Sequence, residues 1–86
     1  MAGTVADTIR KFVNDTYITP ARTAGTKQVS VKAGDVHKAM KLKDRMPAVT
    51  SAIGATIFET AYRVRCLART GPHSGARLEF TFEVLP

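Results

Sequence analysis

Two runs near the C-terminus alternate apolar and polar residues, and they constrain the fold more than any other feature of the chain. The first run covers residues 63–69 and the second covers residues 77–84, with a segment rich in glycine and other turn residues between them. A period of two is typical of strands with one buried face, and the turn residues indicate a tight connection. We therefore predict an antiparallel hairpin whose inner face consists of Val64, Cys66, Ala68, Leu78, Phe80, Phe82 and Val84.

The charges of the two runs predict a register for this hairpin. If Arg69 lies opposite Arg77, then Arg63 lies opposite Glu83, which is a favourable cross-strand pair. The same register brings the like charges of Arg69 and Arg77 together at the tip. We expect an anion to relieve the repulsion between them.

The first helix is predicted over residues 5–14, because apolar residues recur there at helical spacing. Thr4 is placed to cap this helix, and Asp7 stands three residues later, in the position of a capping-box acid. Pro20 is expected to end helical structure, because it disfavours the helical conformation of the residue before it. Residues 19–27 are therefore interpreted as a flexible loop.

One short strand and two further helices are predicted between that loop and the hairpin. Residues 28–31 alternate polar and apolar side chains, which favours a strand. Residues 33–41 favour a helix, and we expect Leu42, directly after it, to pack into the core. Gly54 weakens the third helix and marks either its fraying end or a close approach of another segment. The inner face is predicted to hold Val36, Ala39 and Met40 in the second helix, and Met46, Val49, Ile53 and Ile57 in the third.

The charge balance predicts an anionic partner. Thirteen basic residues outnumber seven acidic ones, which gives a formal net charge of +6 in a single domain spanning residues 1–86. Nucleic acid is the first expectation and an anionic membrane surface the second. The sequence has no apolar run near the ~20 residues of a membrane span and no signal-peptide order at its start. Together with a single cysteine, this favours a cytoplasmic protein without a membrane partner.

Residues that carry catalytic or metal chemistry do not cluster in the sequence. His37 and His73 have no cysteine at metal-ligand spacing. No Ser-His-Asp set, paired carboxylates or phosphate-binding glycine loop is present. We therefore expect no enzymatic activity, no metal and no cofactor. Cys66 falls on the apolar face of a predicted strand, so we expect a buried thiol that reacts slowly.

The element order and the segment VSVKAGDVHKAMKLKDRMPAVTSAIGA, residues 29–55, resemble the winged helix-turn-helix family. The resemblance covers residues 4–85 and implies an α+β fold with three helices, a short strand and a C-terminal antiparallel hairpin, the wing. It also implies that residues 46–55 form a recognition helix for duplex DNA and that residues 69–77 form the wing. The segment GDVHKAMKLKDRMPAV faintly resembles small modules found with prokaryotic restriction and defence proteins.

The candidate DNA-binding residues divide into two groups with different roles. Basic side chains around the helix-turn-helix and on the wing would neutralise phosphates, which gives affinity without sequence information. Thr50 and Ser51, on the predicted outward face of the third helix, would bond bases or phosphates, and His73 would touch phosphate. That face has no Asn, Gln or mid-helix Arg, which favours backbone contacts. The full set is Lys38, Lys41, Lys43, Arg45, Thr50, Ser51, Arg69, His73 and Arg77.

The sequence therefore predicts a small non-enzymatic protein of transcription regulation that binds double-stranded DNA mainly through the phosphate backbone. The alternative is a winged-helix module for protein–protein assembly, for example with a restriction/defence or regulatory partner. RNA binding shares the charge argument, but few aromatic residues are free for a stacking platform. A homodimer that uses the first helix with Tyr17, Ile18 and Leu85 is a further expectation.

Overall fold

The computed structural model describes residues 4–71 and 77–85, and it confirms the predicted α+β class. Three strands form one antiparallel sheet in the order β1-β3-β2, so the last strand lies in the middle. The strands are β1 (Gln28–Lys32), β2 (Val64–Thr70) and β3 (Glu79–Val84). The α-helices are α1 (Val5–Val13), α2 (Thr19–Ala24), α3 (Ala33–Ala39), α4 (Met46–Gly54) and α5 (Thr56–Tyr62).

Helix α1 begins with the predicted capping box. The Thr4 hydroxyl accepts a hydrogen bond from the Asp7 backbone N–H at 3.1 Å. The Asp7 carboxylate in turn accepts from the Thr4 N–H at 3.2 Å. These two bonds satisfy backbone donors that the first turn of a helix leaves without partners. They fix the start of α1, whose inner side buries Ile9 and Val13.

Helical structure continues past Pro20, which corrects the predicted loop over residues 19–27. A π-helical turn (Asn14–Ile18) follows α1, and the Thr19 N–H donates to the Asn14 carbonyl five residues back. Pro20 then stands in the first turn of α2, where its missing N–H is not needed. Gly25 ends α2 in the left-handed conformation, with φ 77°. Only residues 25–27 connect α2 to β1.

The π-helical turn also buries a residue that was predicted to lie in a dimer interface. Ile18 is fully buried in the core, so it cannot contact a second copy of the folded chain. Tyr17 is half-buried and packs against the same core. The predicted interface is therefore wrong at Ile18.

Strands β2 and β3 form the predicted antiparallel pair, but in a different register. Thr70 lies opposite Glu79, and Arg65 rather than Arg63 lies opposite Glu83. The Arg65 guanidinium and the Glu83 carboxylate form an ion pair at 2.7 Å. The predicted Arg63–Glu83 pair is wrong because Arg63 has a left-handed φ of 59° and forms the turn between α5 and β2.

A bulge at Leu67 interrupts the alternation of β2. Cys66 lies opposite Phe82, whereas Ala68 lies opposite Thr81, so one residue of β2 has no opposite neighbour. Val64 before the bulge is buried as predicted, Cys66 is half-buried and Ala68 is exposed. The prediction of an inward Ala68 is therefore wrong, because the bulge changes which face of the strand turns inward after it. Cys66 lies before the bulge and packs against the core, but on this edge strand it is only half-buried, so the prediction of a buried thiol is also wrong.

The core lies between one face of the sheet and the helices. Phe80 and Phe82 of β3 are fully buried, and the ring of Phe58 from α5 meets the Phe82 ring at a centroid distance of 5.2 Å. Helix α5 thus packs against the sheet through Phe58. The other buried apolar side chains of this cluster include Ile9, Val13, Ile18, Val31, Val36, Val49, Ile53, Val64 and Leu78.

The second and third predicted helices are both shorter than the sequence indicates. Helix α3 ends at Ala39, which is exposed, although it was predicted to face inward. Helix α4 ends at Gly54, and Ala55 is extended with ψ 143° before α5 begins. This break rotates Ile57 away from the core, so that its exposed fraction is 57%. The prediction of Ile57 as an inner residue is therefore wrong.

Candidate nucleic-acid interface

The turn between α3 and α4, residues 40–45, is held by a histidine side chain. The Arg45 backbone N–H donates to His37 Nε2 at 3.2 Å, and the Leu42 N–H donates to the His37 carbonyl at 3.1 Å. Lys41 and Asp44 adopt left-handed φ values of 56° and 53°, which make the chain reverse within a few residues. His37 therefore connects the end of α3 to the start of α4. No sequence pattern signalled this role.

Four of the candidate basic residues surround this turn, and all four side chains are exposed. Within the described part of the chain, the ion pairs that form do not include any of the four. Asp44 is the acidic residue of the turn. The turn therefore presents unneutralised positive charge beside the N-terminus of α4. The four residues, called the turn cations below, are Lys38, Lys41, Lys43 and Arg45.

Thr50 does not face solvent, which corrects its place in the candidate set. Its exposed fraction is 7%, and its hydroxyl donates to the Pro47 carbonyl at 3.1 Å. Helix α4 packs against both α1 and α3, so its buried arc is wider than one stripe. The outward strip that is left contains the exposed Pro47 and Ser51 and the half-buried Ala48.

The Arg69 side chain makes two contacts within the molecule. Its Nη2 donates to the carbonyl of Gly54, the last residue of α4, at 2.7 Å. Its guanidinium carbon lies 5.4 Å from the centroid of the Phe80 ring. These contacts join the hairpin to the C-terminal end of α4, which is the close approach that Gly54 predicted.

Arg77 lies at the other side of the hairpin tip and is exposed. A Cβ added to Gly71 would lie 2.7 Å from the Arg77 carbonyl oxygen, so the two sides of the tip approach closely there. Arg69 lies opposite Phe80, and the predicted Arg69–Arg77 pairing is therefore wrong. His73 belongs to residues 72–76, outside the described residues, and its predicted role stays a prediction.

The turn cations and Arg69 thus lie at the two ends of α4, and Ser51 lies on its exposed side between them. The turn cations stand at the N-terminal end, and the Arg69 contact brings the hairpin to the C-terminal end. Nine residues at a rise of 1.5 Å give α4 a length of about 13 Å. The structure therefore places the turn cations, Ser51 and Arg69 around one helix, whereas Thr50 faces inward and Arg77 lies beside the hairpin tip.

A separate groove of about 330 Å³ lies where α2 and β3 end, and none of the candidate residues lines it. Its charged side chains have both signs, Arg22 and Lys27 against Glu83. In residues 4–71 and 77–85, no group of three or more His, Cys, Asp or Glu side chains is arranged to hold a metal ion. None of the helices in this described part is long and apolar enough to cross a membrane.

Comparisons with known proteins give no match for this chain. No protein-family model, no curated protein and no solved structure matches it.

Proposed function

We propose that this protein binds double-stranded DNA through a winged-helix surface, with α4 facing the major groove. The observation that carries the proposal is the group of turn cations, which are exposed and take part in no ion pair among the described residues. Like charges crowded on one turn repel one another. A polyanion relieves that repulsion, and its bound counterions are released when the cations replace them.

The spacing of the two basic segments also supports a duplex. Helix α4 is about 13 Å long and runs from the turn cations to the Gly54 carbonyl that Arg69 contacts, and the major groove of B-DNA is about 12 Å wide. With α4 over the groove, the turn cations would meet phosphates at one edge and the hairpin with Arg77 would meet phosphates at the other. One rigid unit would then contact both strands.

The composition of α4 favours backbone contacts over base reading. Ser51 is the exposed hydrogen-bonding side chain of this helix, while Pro47 and Ala48 offer only van der Waals contact. Thr50 is not available to contact DNA, because its hydroxyl donates a hydrogen bond to the Pro47 carbonyl. Any sequence preference contributed by α4 would therefore rest mainly on Ser51, and a regulatory role at defined sites would require additional contacts from the hairpin.

A charge-matched pair of variants tests the proposal. Lys38→Ala with Lys43→Ala removes two turn cations. Lys27→Ala with Lys32→Ala removes the same charge from the residue before β1 and from the last residue of β1. The first variant should bind a short duplex more weakly, and its plot of log K against log salt should be shallower by about 1.8 if each lysine contacts one phosphate. The second variant should keep nearly the wild-type slope. Equal losses in both variants would contradict a localised DNA surface.

A second candidate function is a module for protein–protein assembly. It is favoured by two large apolar side chains on consecutive elements, Ile57 of α5 and Leu67 of β2, which are 57% and 44% exposed. Burial of apolar side chains depends little on salt, whereas phosphate contacts weaken steeply with it. Salt-insensitive self-association that Leu67→Asp abolishes, without any duplex binding, would favour this candidate over DNA.

A further inference from the structure

We propose that Arg69 is a positioning residue, which fixes the hairpin against the end of α4 and does not itself contact phosphate. The expected effect of Arg69 on duplex binding rests on the proposed DNA function. The effect on hairpin orientation does not, because orientation can be measured in the free protein. If Arg69 has this role, Arg77 is the residue that contacts phosphate on the described part of the hairpin.

Two attractive contacts hold the Arg69 guanidinium. The last carbonyls of a helix have no partner within that helix and carry partial negative charge. The Gly54 carbonyl is such a group, and Arg69 Nη2 donates to it at 2.7 Å. The ring face of Phe80 attracts the same cation, with 5.4 Å between the guanidinium carbon and the ring centroid. A phosphate would have to compete with both contacts.

Gly54 supplies the space that the guanidinium occupies. Its φ is not in the left-handed region, so the backbone conformation does not itself require glycine. A Cβ at this position would lie 2.9 Å from Arg69 Nη2 and 3.1 Å from its guanidinium carbon. Gly54→Ala would therefore displace the guanidinium without removing any charge from the protein.

This geometry separates a positioning role from a phosphate contact. If Arg69 contacts DNA, Gly54→Ala frees the guanidinium for that contact and binding is retained, while Arg69→Ala weakens binding. If Arg69 positions the hairpin, both substitutions break the same contact and weaken binding alike. The salt slope should stay near the wild-type value in both, because no phosphate contact of Arg69 is lost.

The experiment compares Gly54→Ala, Arg69→Ala and the double variant, with Arg65→Ala as the control that removes one charge from the same strand. Residual dipolar couplings of the free proteins report the orientation of the hairpin relative to α4. We expect the same reorientation in all three test variants and none in the control. Duplex binding should weaken by about tenfold, which corresponds to the loss of one charge-assisted hydrogen bond. The double variant should bind the duplex no more weakly than either single variant.

Arg69→Lys supplies a rescue, because an ammonium group can still donate to the Gly54 carbonyl. It should restore the hairpin orientation in part, and Gly54→Ala should remove that restoration. Wild-type affinity in Gly54→Ala together with weak binding in Arg69→Ala would overturn the proposal. An unchanged hairpin orientation in both single variants would also overturn it. If wild-type protein binds no duplex, the proposed function fails, and the orientation measurement still tests the role of Arg69.

Discussion

The exposure of two isoleucines four residues apart, Ile53 and Ile57, distinguishes the observed break between α4 and α5 from an unbroken third helix. Their spacing would place both on one face of a continuous helix. In the structure Ile53 is 1% exposed, whereas Ile57 is 57% exposed. The cause is the extended backbone of Ala55, which ends α4 and turns α5 in a new direction. Alanine substitution at each position therefore measures the consequence of this break.

The expected magnitudes follow from burial. Isoleucine-to-alanine substitutions in a packed core cost about 2–5 kcal/mol, and Ile53 lies in the middle of the core cluster, so we expect about 3–4 kcal/mol there. That is a large part of the ~4–13 kcal/mol typical for a chain of this length. Ile57 buries less than half of its surface, and alanine is the better helix former by a few tenths of a kcal/mol. We expect a cost below about 1 kcal/mol at Ile57.

Urea unfolding followed by circular dichroism measures both values, provided that the slope of free energy against denaturant is the same in each variant. The two proteins differ from wild type by the same atoms, so each is the control for the other. A loss above about 2 kcal/mol for Ile57→Ala, or below about 1 kcal/mol for Ile53→Ala, would refute the break between α4 and α5.

Three further predictions concern stability. Thr4→Ala removes the capping-box hydroxyl of α1 and should lower the unfolding free energy by about 0.5–2 kcal/mol in the same assay. Arg22→Ala removes hydrogen bonds to three backbone carbonyls at the C-terminal ends of α5 and β3. Because Arg22 is exposed, the loss should lie near the lower end of the ~1.5–3 kcal/mol seen for charged donors, and Arg22→Lys should recover only part of it. The hydrogen bond from Lys11 lowers the pKa of the Asp15 carboxyl. A depressed folded-state pKa gives stability that is present above the unfolded-state pKa and lost as the pH falls through the folded-state pKa. Asp15→Asn should therefore flatten the acid limb of a plot of unfolding free energy against pH.

Each of these predictions has a contradicting result. An unfolding free energy unchanged by Thr4→Ala would show that the capping box does not stabilise α1. Equal losses of unfolding free energy for Arg22→Ala and Arg22→Lys would show that the several donors of the guanidinium are not the source of the stabilisation. A pH profile of Asp15→Asn that superimposes on the wild-type profile would show that the Lys11 contact adds nothing to stability.

The sequence predicted those parts of the fold that depend on neighbours a few residues away. The capping box of Thr4 and Asp7 is such a feature, and so are the strands of the alternating segments. The helix through Pro20 could not be predicted in this way, because it depends on the burial of Ile18 and Ala21 against distant parts of the chain. The hairpin register also escaped prediction: Arg63 forms the turn before β2, which displaces the pairing by two residues, and the bulge at Leu67 displaces it by one more.

The candidate site was predictable to a similar extent. The turn cations follow from the sequence, since a short basic connection between two helices is exposed in almost any packing. The inward position of Thr50 does not follow, because it results from α4 packing against two other helices at once. The contact of Arg69 with Gly54 joins residues 15 apart, and the glycine was the one signal of it.

The most direct test of the DNA proposal is an amide chemical-shift titration of the protein with a short duplex of arbitrary sequence, at low and at moderate salt. We predict shifts in residues 38–51 and in the hairpin around Arg69 and Arg77, and we predict that they shrink steeply as the salt concentration rises. Amides near Lys27 and Arg22 should change little. Absence of shifts at low salt, or shifts confined to the groove where α2 and β3 end, would contradict the proposal.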